Sequence, residues 1–188
     1  MGVVSNAVRW LVWVLFLAGG GALGVWLDLR LWPAWWHNPF WHLVSALAGI
    51  GVFRIVLTVS RVTGRWLARC GRVGELPRME TNRLVTVGPY ACMRHPMHLG
   101  LMLFPLAFAL VLGSPAFVLL VWPLEVLAIV LLVLLVEERE ARLKFGADYA
   151  AYARRVPAFN LAPACLAKLL QDPPERPDCT STFRLAEK

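Results

Sequence analysis

Charged residues are scarce in this chain of 188 residues. Asp, Glu, Lys and Arg make up only 16% of it, whereas 59% of its residues are hydrophobic. A soluble domain ordinarily carries a larger charged fraction, so this composition excludes that class and predicts an integral membrane protein. A chain of this length needs only one compact domain.

Acidic residues are fewer than basic ones, with 12 Asp and Glu against 19 Lys and Arg, and the net charge is +7. An excess of basic residues can indicate nucleic-acid binding, but these positive residues lie in loops beside apolar runs. Such placement follows the positive-inside rule of membrane proteins, so we expect membrane lipids as partners and no nucleic acid.

Cysteine is also rare. Cys70, Cys92, Cys165 and Cys179 show neither the close pairing of a zinc site nor the density of a secreted disulfide framework. We therefore expect no disulfide and no metal. Cys92 is interpreted as a small apolar filler rather than a reactive thiol.

Long apolar runs are what the chain has in abundance. Four runs approach the roughly 20 residues that a bilayer core requires, at 8–27, 41–60, 96–112 and 116–136. They predict an all-α, polytopic membrane helix bundle of about four transmembrane helices. Residues 1–170 would form a single domain, the first run being retained rather than cleaved, and 171–188 a disordered cytoplasmic tail. The glycines of the first run are interpreted as a helix-packing face.

A polar stretch after the second run contains six arginines opposed by Glu75 and Glu80. The arginines are Arg61, Arg65, Arg69, Arg72, Arg78 and Arg83. This excess places the stretch and both termini in the cytoplasm, and we expect a bacterial inner membrane. The first four arginines repeat at helical spacing, which is consistent with a basic helix face on anionic lipid.

Two charges fall inside the apolar runs, Arg54 in the second and Glu125 in the fourth. Because a charge within a bilayer is costly, we predict that these two residues pair, although Arg54 is near enough to the cytoplasmic end to snorkel instead. The Trp-rich connection 31–42 is interpreted as an interfacial loop in which His37 and His42 form hydrogen bonds.

The segment Gly88-Pro89-Tyr90-Ala91-Cys92-Met93-Arg94-His95-Pro96 stands where the third run begins. Gly88-Pro89 is a turn signal, and Pro96 suits the first turn of a helix. The start of a helix favours an anion, and Arg94 adds a permanent charge. The pattern predicts a pocket for a carboxylate or phosphate.

The third and fourth runs are joined by the short turn Gly113-Ser114-Pro115 and should form an antiparallel hairpin. A hairpin returns Glu137 and Glu138 to the membrane face of Arg94 and His95. Beyond it, one face of a continuing amphipathic helix should carry Glu138, Arg142, Phe145, Tyr149 and Tyr152. That face suits either an adenine ring or the membrane surface.

Two separated motifs carry a resemblance to a family. They are Gly-Pro-Tyr with Arg-His-Pro and Gly100, and then Glu137-Glu138 with Phe145-Gly146-Ala147-Asp148-Tyr149 and Val156-Pro157. Over 81–159 the chain resembles the membrane methyltransferases related to isoprenylcysteine carboxyl methyltransferase and to phospholipid N-methyltransferases. The resemblance implies use of S-adenosylmethionine and methylation of a small or lipid-like acceptor through a carboxylate, thiol, amine or phenol.

The resemblance also implies site residues. Cofactor contacts are expected at Asn82, Arg83, Leu84, Val85, Tyr90, His95, Pro96, Met97, His98 and Glu137. Arg94, Glu138 and His98 are the catalytic candidates. His98 stands where the family usually has Tyr, and Val133 stands where isoprenylcysteine enzymes carry a substrate-contacting Arg, so recognition of a prenylcysteine carboxylate is an open question.

Two other functions remain open at this point. Four-helix membrane bundles can hold haem through histidines, which would make the chain a haem or quinone electron-transfer protein. An NADPH-dependent enzyme of the sterol-reductase kind is the second, because its C-terminal membrane region resembles this family. Neither the acceptor nor the oligomeric state follows from the sequence.

Overall fold

The computed structural model describes residues 6–75 and 80–179, and the regular secondary structure among them is helical. These residues contain no β-strand, which confirms the predicted all-α class. The α-helices in chain order are α1 Asn6–Leu31, α2 Pro33–Trp36, α3 Pro39–Cys70, α4 Pro96–Leu112, α5 Trp122–Leu132, α6 Glu138–Arg155 and α7 Pro163–Lys168. The π-helical turns Phe117–Val121 and Val133–Glu137 flank α5, and the 3-10 turn Gly88–Ala91 precedes α4.

Three of the described helices are long and apolar enough to cross a membrane. They are Trp13–Leu31, Pro39–Cys70 and Phe117–Arg155. The run predicted as the third span forms α4, a shorter apolar helix of 17 residues. The structure therefore agrees with an integral membrane protein, and the count of four spans stays a prediction.

The described chain divides into two compact units. The first comprises the residues up to Val56 together with Leu101–Val133. In this unit α1 packs closely through its glycines: a methyl group added at Gly24 would lie 2.8 Å from the Cβ of Phe117 and from Ser114 Oγ. The packing role predicted for this glycine face is confirmed for Gly20, Gly21 and Gly24, whereas Gly19 has nothing within 4 Å.

Polar groups of the first unit fasten the turn after α4. Asp28 Oδ1 accepts a hydrogen bond of 2.8 Å from the Ala116 amide, and Trp41 Nε1 donates one of 2.9 Å to the Gly113 carbonyl. His42 Nε2 lies 2.7 Å from the carbonyl oxygen of Trp36. The predicted hydrogen-bonding role of His42 is confirmed.

The predicted pairing of Arg54 with Glu125 is wrong. Glu125 is 4% exposed and faces Gly20 of α1, and neither of its carboxylate oxygens has a hydrogen-bond partner among the described residues. Rough depth in the membrane was the basis of that prediction. Rotation of the helix about its axis decides the partner instead, and here it turns Glu125 toward the space left by a glycine.

The second unit comprises Leu57–Gly100 and the described residues from Leu134 onward. One buried cluster joins Val59 and Met93 to Cys165 and Leu169 of the C-terminal segment. Another is formed by Cys70, Val85 and Tyr90. The motif residues therefore belong to the core of this unit.

Two disulfides cross-link the second unit, Cys70–Cys179 and Cys92–Cys165. The expectation of no disulfide is therefore wrong. The paired cysteines are 109 and 73 residues apart in the chain, so no local spacing signals them and only the tertiary fold brings them together. The predicted tail 171–188 includes Cys179; its residues 171–179 are described, and 180–188 lie outside the described chain.

The predicted continuous face on the last long helix is also wrong. Gly146 has φ 55° and ψ −128°, a backbone conformation that favours glycine and interrupts α6. Glu138 before the break and Tyr149 and Tyr152 after it are buried, whereas Arg142 is exposed. The spacing matches one helix face, but the chain changes direction within it.

Candidate active site

Arg94 and His95 lie between the Gly88–Ala91 turn and the start of α4, in the second unit. Pro96 is the first residue of α4, as predicted. Two backbone hydrogen bonds hold the segment: the Arg94 amide donates to the Pro157 carbonyl at 2.9 Å and the His95 amide to the Ala158 carbonyl at 3.1 Å. The chain after α6 thus fixes the backbone of the Arg-His pair.

Glu138 is the residue on which this site converges. Its Oε1 accepts hydrogen bonds from Arg94 Nε at 2.7 Å and from His95 Nε2 at 2.8 Å. Arg142 Nη2 approaches Oε2 at 3.8 Å from an exposed position one helical turn later. These contacts confirm the predicted proximity of Glu138 to Arg94 and His95.

The guanidinium of Arg94 also holds the C-terminal end of α6. Its Nη1 donates to the carbonyl oxygens of Ala153, at 3.0 Å, and of Val156. A cation is favourable there because the last carbonyls of a helix lack partners and carry partial negative charge. Arg94 therefore joins the motif segment to both ends of α6, Glu138 at the start and Val156 at the finish.

The bond to Glu138 assigns the proton of the His95 ring. A carboxylate can only accept, so Nε2 carries the hydrogen and, in the neutral ring, Nδ1 keeps its lone pair. Burial lowers the pKa of His95 below its ordinary 6.5 and outweighs the opposing effects of Glu138 and Glu137. The geometry thus presents a neutral imidazole whose orientation is set by a carboxylate.

Tyr90 is buried and linked to the last part of α6. The hydroxyl of Tyr152, 2% exposed, donates to the Tyr90 carbonyl at 2.5 Å. The hydroxyl of Tyr90 itself is buried and has no hydrogen-bond partner in the described part of the chain, and burial raises its pKa. The site thus contains a polar atom that no described residue satisfies.

A glycine is required at the turn before Tyr90. Gly88 has φ +61°, and a Cβ added there would lie 2.5 Å from a ring carbon of Trp66. The close approach of the Trp66 indole to the backbone leaves no room for a side chain. Gly88 thus lets α3 pack directly on the motif.

The predicted cofactor contacts before the motif, residues 82–85, have local contacts of their own. Asn82 uses its side-chain amide for two hydrogen bonds to the backbone of Val73, at 2.9 and 2.8 Å. Arg83 is exposed, Leu84 is half-buried and Val85 belongs to the cluster with Cys70 and Tyr90. The structure shows how Asn82 anchors this loop, and a cofactor role for 82–85 stays a prediction.

His98 and Met97 follow within the first turn of α4. The His98 ring centroid lies 5.6 Å from that of His95, edge to face. Phe159 contributes another ring at 6.1 Å from His95, a neighbour that the sequence reasoning missed. The pair Val156-Pro157 signalled where α6 ends, but not that the residues after it return to His95.

The sequence model of the phospholipid methyltransferase family matches residues 40–148 of the chain, more than half of its length. The chain belongs to the phospholipid methyltransferase family. This finding confirms the resemblance stated above, and the match contains the whole stretch from the second apolar run through the Arg94, His95 and Glu138 cluster.

One similar protein is Protein-S-isoprenylcysteine O-methyltransferase B of Arabidopsis thaliana. It is 28% identical over 128 residues. These residues cover 66% of the present chain and 59% of the Arabidopsis protein. The chain thus spans less than two thirds of that relative. No solved structure gives a significant match.

Proposed function

We propose that this protein is an integral membrane methyltransferase that transfers a methyl group from S-adenosylmethionine to a small or lipid-like acceptor. Family membership supports methyl transfer. The convergence of Arg94 and His95 on Glu138, at the start of an apolar helix, is the observation that supports a site at this position. We further propose that this site and both termini face the cytoplasm, following the excess of arginine in 61–83.

The residues present suit such a cofactor. The negative charge of Glu137 acts to raise the pKa of His95, and its carboxylate suits an ammonium group. The unsatisfied hydroxyl of Tyr90 offers a hydrogen bond to a polar ligand atom. We propose that Asn82, Arg83, Leu84, Val85, Pro96, Met97 and His98 complete the contacts, as the family resemblance implies.

When bound, S-adenosylmethionine supplies an electrophilic methyl group on a sulfonium centre. The chain's own part is to position the nucleophile and to exclude water. Glu138 holds the ring of His95 in one tautomer, and Nδ1 of the neutral ring can take a proton from an amine, thiol or phenol. A carboxylate acceptor would need no such base, so the proposed mechanism leaves all four nucleophiles open.

Arg94 acts in this proposal as a positioning residue. Three hydrogen bonds from its guanidinium join Glu138 to the end of α6. They hold the Glu138 carboxylate in the position where it accepts the His95 N–H. The acceptor would enter from the bilayer. Val133 is fully buried, and it replaces the arginine with which isoprenylcysteine enzymes are expected to contact their substrate.

Calorimetric titration tests this function. Detergent-purified protein is titrated with S-adenosylmethionine and with S-adenosylhomocysteine, alongside His95→Ala, Glu137→Ala and the control His37→Ala. We expect saturable binding that weakens about tenfold or more in the first two variants and is unchanged in the control. Absence of binding by folded wild-type protein would contradict the proposal, and binding of NADPH or a haem absorption band would favour the other two functions.

A further inference from the structure

The residues after α6 cross back over the motif, and we call 157–179 the C-terminal strap. Its beginning is held by the backbone bonds at Arg94 and His95 described above. Further along, Leu169 lies in a buried cluster with Met93, the residue immediately before Arg94. The strap therefore covers the motif segment over much of its length.

A cavity of about 200 Å³ lies between the strap and the motif turn. One side is formed by Trp66 and by the turn residues Gly88 and Pro89. The other side is formed by the strap residues Lys168, Gln171, Asp172 and Pro174. Tyr90, the proposed cofactor contact, follows Pro89 directly, so whatever moves the strap changes the surroundings of the proposed site.

Beyond the buried Leu169, the contacts that hold the strap to α3 include a surface ion pair and hydrogen bonds to backbone carbonyls. Arg65 forms a salt bridge of 2.7 Å with Asp172, but both side chains are more than half exposed. Arg69 Nη1 donates to the carbonyl oxygens of Pro173 and Pro174 from the same helix. Exposed ion pairs contribute little stability, and a helix as short as α7 is not stable by itself.

The two disulfides fasten the strap on either side of the residues that line the cavity. Cys165 is bonded to Cys92, two residues before Arg94, and Cys179 is bonded to Cys70 at the end of α3. All four cysteines of the chain are used in this way. Each bond joins a buried cysteine, Cys165 or Cys70, to a half-buried one, Cys92 or Cys179.

We propose that the strap is a thiol-controlled lid over the cavity beside the motif. With both disulfides formed the lid is closed, and reduction releases residues 165–179 and speeds the exchange of ligand. The claim that reduction speeds ligand exchange rests on the proposed function, because it takes the ligand to be the methyl donor. The claim that the disulfides hold the lid closed does not rest on it.

The reductant is a dithiol. Each Sγ–Sγ bond accepts two electrons and two protons and becomes two thiols, while the dithiol leaves as its own disulfide. Under the proposed orientation the strap faces the cytoplasm, where dithiol proteins keep most cysteines reduced. A disulfide in that compartment is usually transient, which is consistent with a bond that is repeatedly formed and reduced.

Hydrogen exchange of the full chain in detergent micelles tests the lid without any ligand. The amides of Leu169, Leu170 and Gln171 are hydrogen-bonded to carbonyls of the preceding turn and should be protected. After dithiothreitol treatment we expect them to exchange about tenfold faster, with α5 unchanged as an internal reference. Unchanged exchange in protein shown by titration to contain four thiols would overturn the proposal.

Paired serine variants separate the lid from a general loss of structure. Cys70→Ser with Cys179→Ser should exchange rapidly at 169–171 without reductant, while α5 stays protected. In this double variant, dithiothreitol should raise the exchange rate further only by reducing the remaining Cys92–Cys165 bond. Protection at 169–171 equal to that of oxidised wild type would contradict control by the Cys70–Cys179 bond.

The link to ligand exchange is measured by the dissociation rate of S-adenosylhomocysteine with and without dithiothreitol. We expect reduction to raise this rate about tenfold. An unchanged rate in protein whose strap has opened would overturn the control of the site. Absence of binding in both redox states would contradict the proposed function, while the exchange data would still decide the lid.

Discussion

Glu138 and Arg94 stand 44 positions apart in the chain, yet Oε1 of Glu138 lies 2.7 Å from Nε of Arg94. The side chains are 7% and 11% exposed, so the pair is largely shielded from water. The same carboxylate oxygen accepts the ring N–H of His95. This three-residue cluster fixes the geometry of the proposed site, and it is the first place to test.

Replacing Arg94 should destabilise the protein strongly. Arg94→Ala leaves the buried carboxylate of Glu138 without its cation and frees the carbonyls of Ala153 and Val156, so we expect a loss of about 3 kcal/mol in the free energy of unfolding. Unfolding by SDS in mixed micelles measures it. The control is Arg142→Ala, whose exposed side chain lies 3.8 Å from the same carboxylate and should cost less than about 1 kcal/mol. Equal losses would contradict the assignment of Arg94.

Stability should depend on the protonation of His95. The folded state lowers the pKa of this residue below 6.5, so the unfolded chain binds the proton more readily. The stability linked to His95 is therefore complete above pH 6.5 and falls as the pH drops below that value. The free energy of unfolding measured from about pH 8 to about pH 5 should fall more in the wild type than in His95→Gln. Parallel profiles would count against a neutral, buried His95.

Tyr152 and Tyr90 should respond in opposite ways to loss of a hydroxyl group. Tyr152→Phe removes the bond to the Tyr90 carbonyl and should cost about 1 to 2 kcal/mol of unfolding free energy. Tyr90→Phe removes a buried hydroxyl that has no partner in the described chain, so it should be neutral or stabilising. Thermal unfolding of both variants measures the contrast. A destabilised Tyr90→Phe variant would show that its hydroxyl has a partner.

Two glycines of α3 should differ sharply in their tolerance of alanine. A Cβ at Gly49 would lie 2.7 Å from the Val111 amide nitrogen and 2.9 Å from the Ala107 carbonyl oxygen, whereas Gly51 has nothing within 4 Å. Gly49→Ala should therefore cost about 1 to 3 kcal/mol, because backbone atoms cannot move aside easily. Gly51→Ala should be neutral or stabilise the helix by up to about 1 kcal/mol. SDS unfolding of the two variants compares them, and similar values would contradict the close packing at Gly49.

The helical class and the site cluster were accessible from the sequence because their signals are local. Apolar runs near the length of a bilayer predict helices, and Gly113-Ser114-Pro115 predicts the turn between two of them. Once that turn is known, Glu138 must return toward Arg94. The family motifs reinforced the same pairing.

The partners of individual buried groups could not be predicted in the same way. Glu125 faces Gly20 rather than Arg54, and Gly146 breaks α6 although the spacing around it matches a helix. The first outcome depends on how one helix is rotated against its neighbours, whereas the second is a local change of backbone conformation that the spacing of residues does not reveal. Hydrophobicity varies little around an intramembrane helix, so the pattern of the sequence does not specify that rotation.

The sequence by itself determined the membrane-type composition and the helices, since these follow from residue types at short spacing, and the short turn of the hairpin together with the family motifs predicted that Glu138 returns to Arg94 and His95. Only the tertiary structure decided that Arg94 fastens both ends of α6 and that the C-terminal strap covers the motif. It also decided that Cys92 and Cys70 are disulfide-bonded to residues 73 and 109 positions away. Contacts between distant residues arise when packed helices bring them together, and no spacing along the chain encodes that meeting.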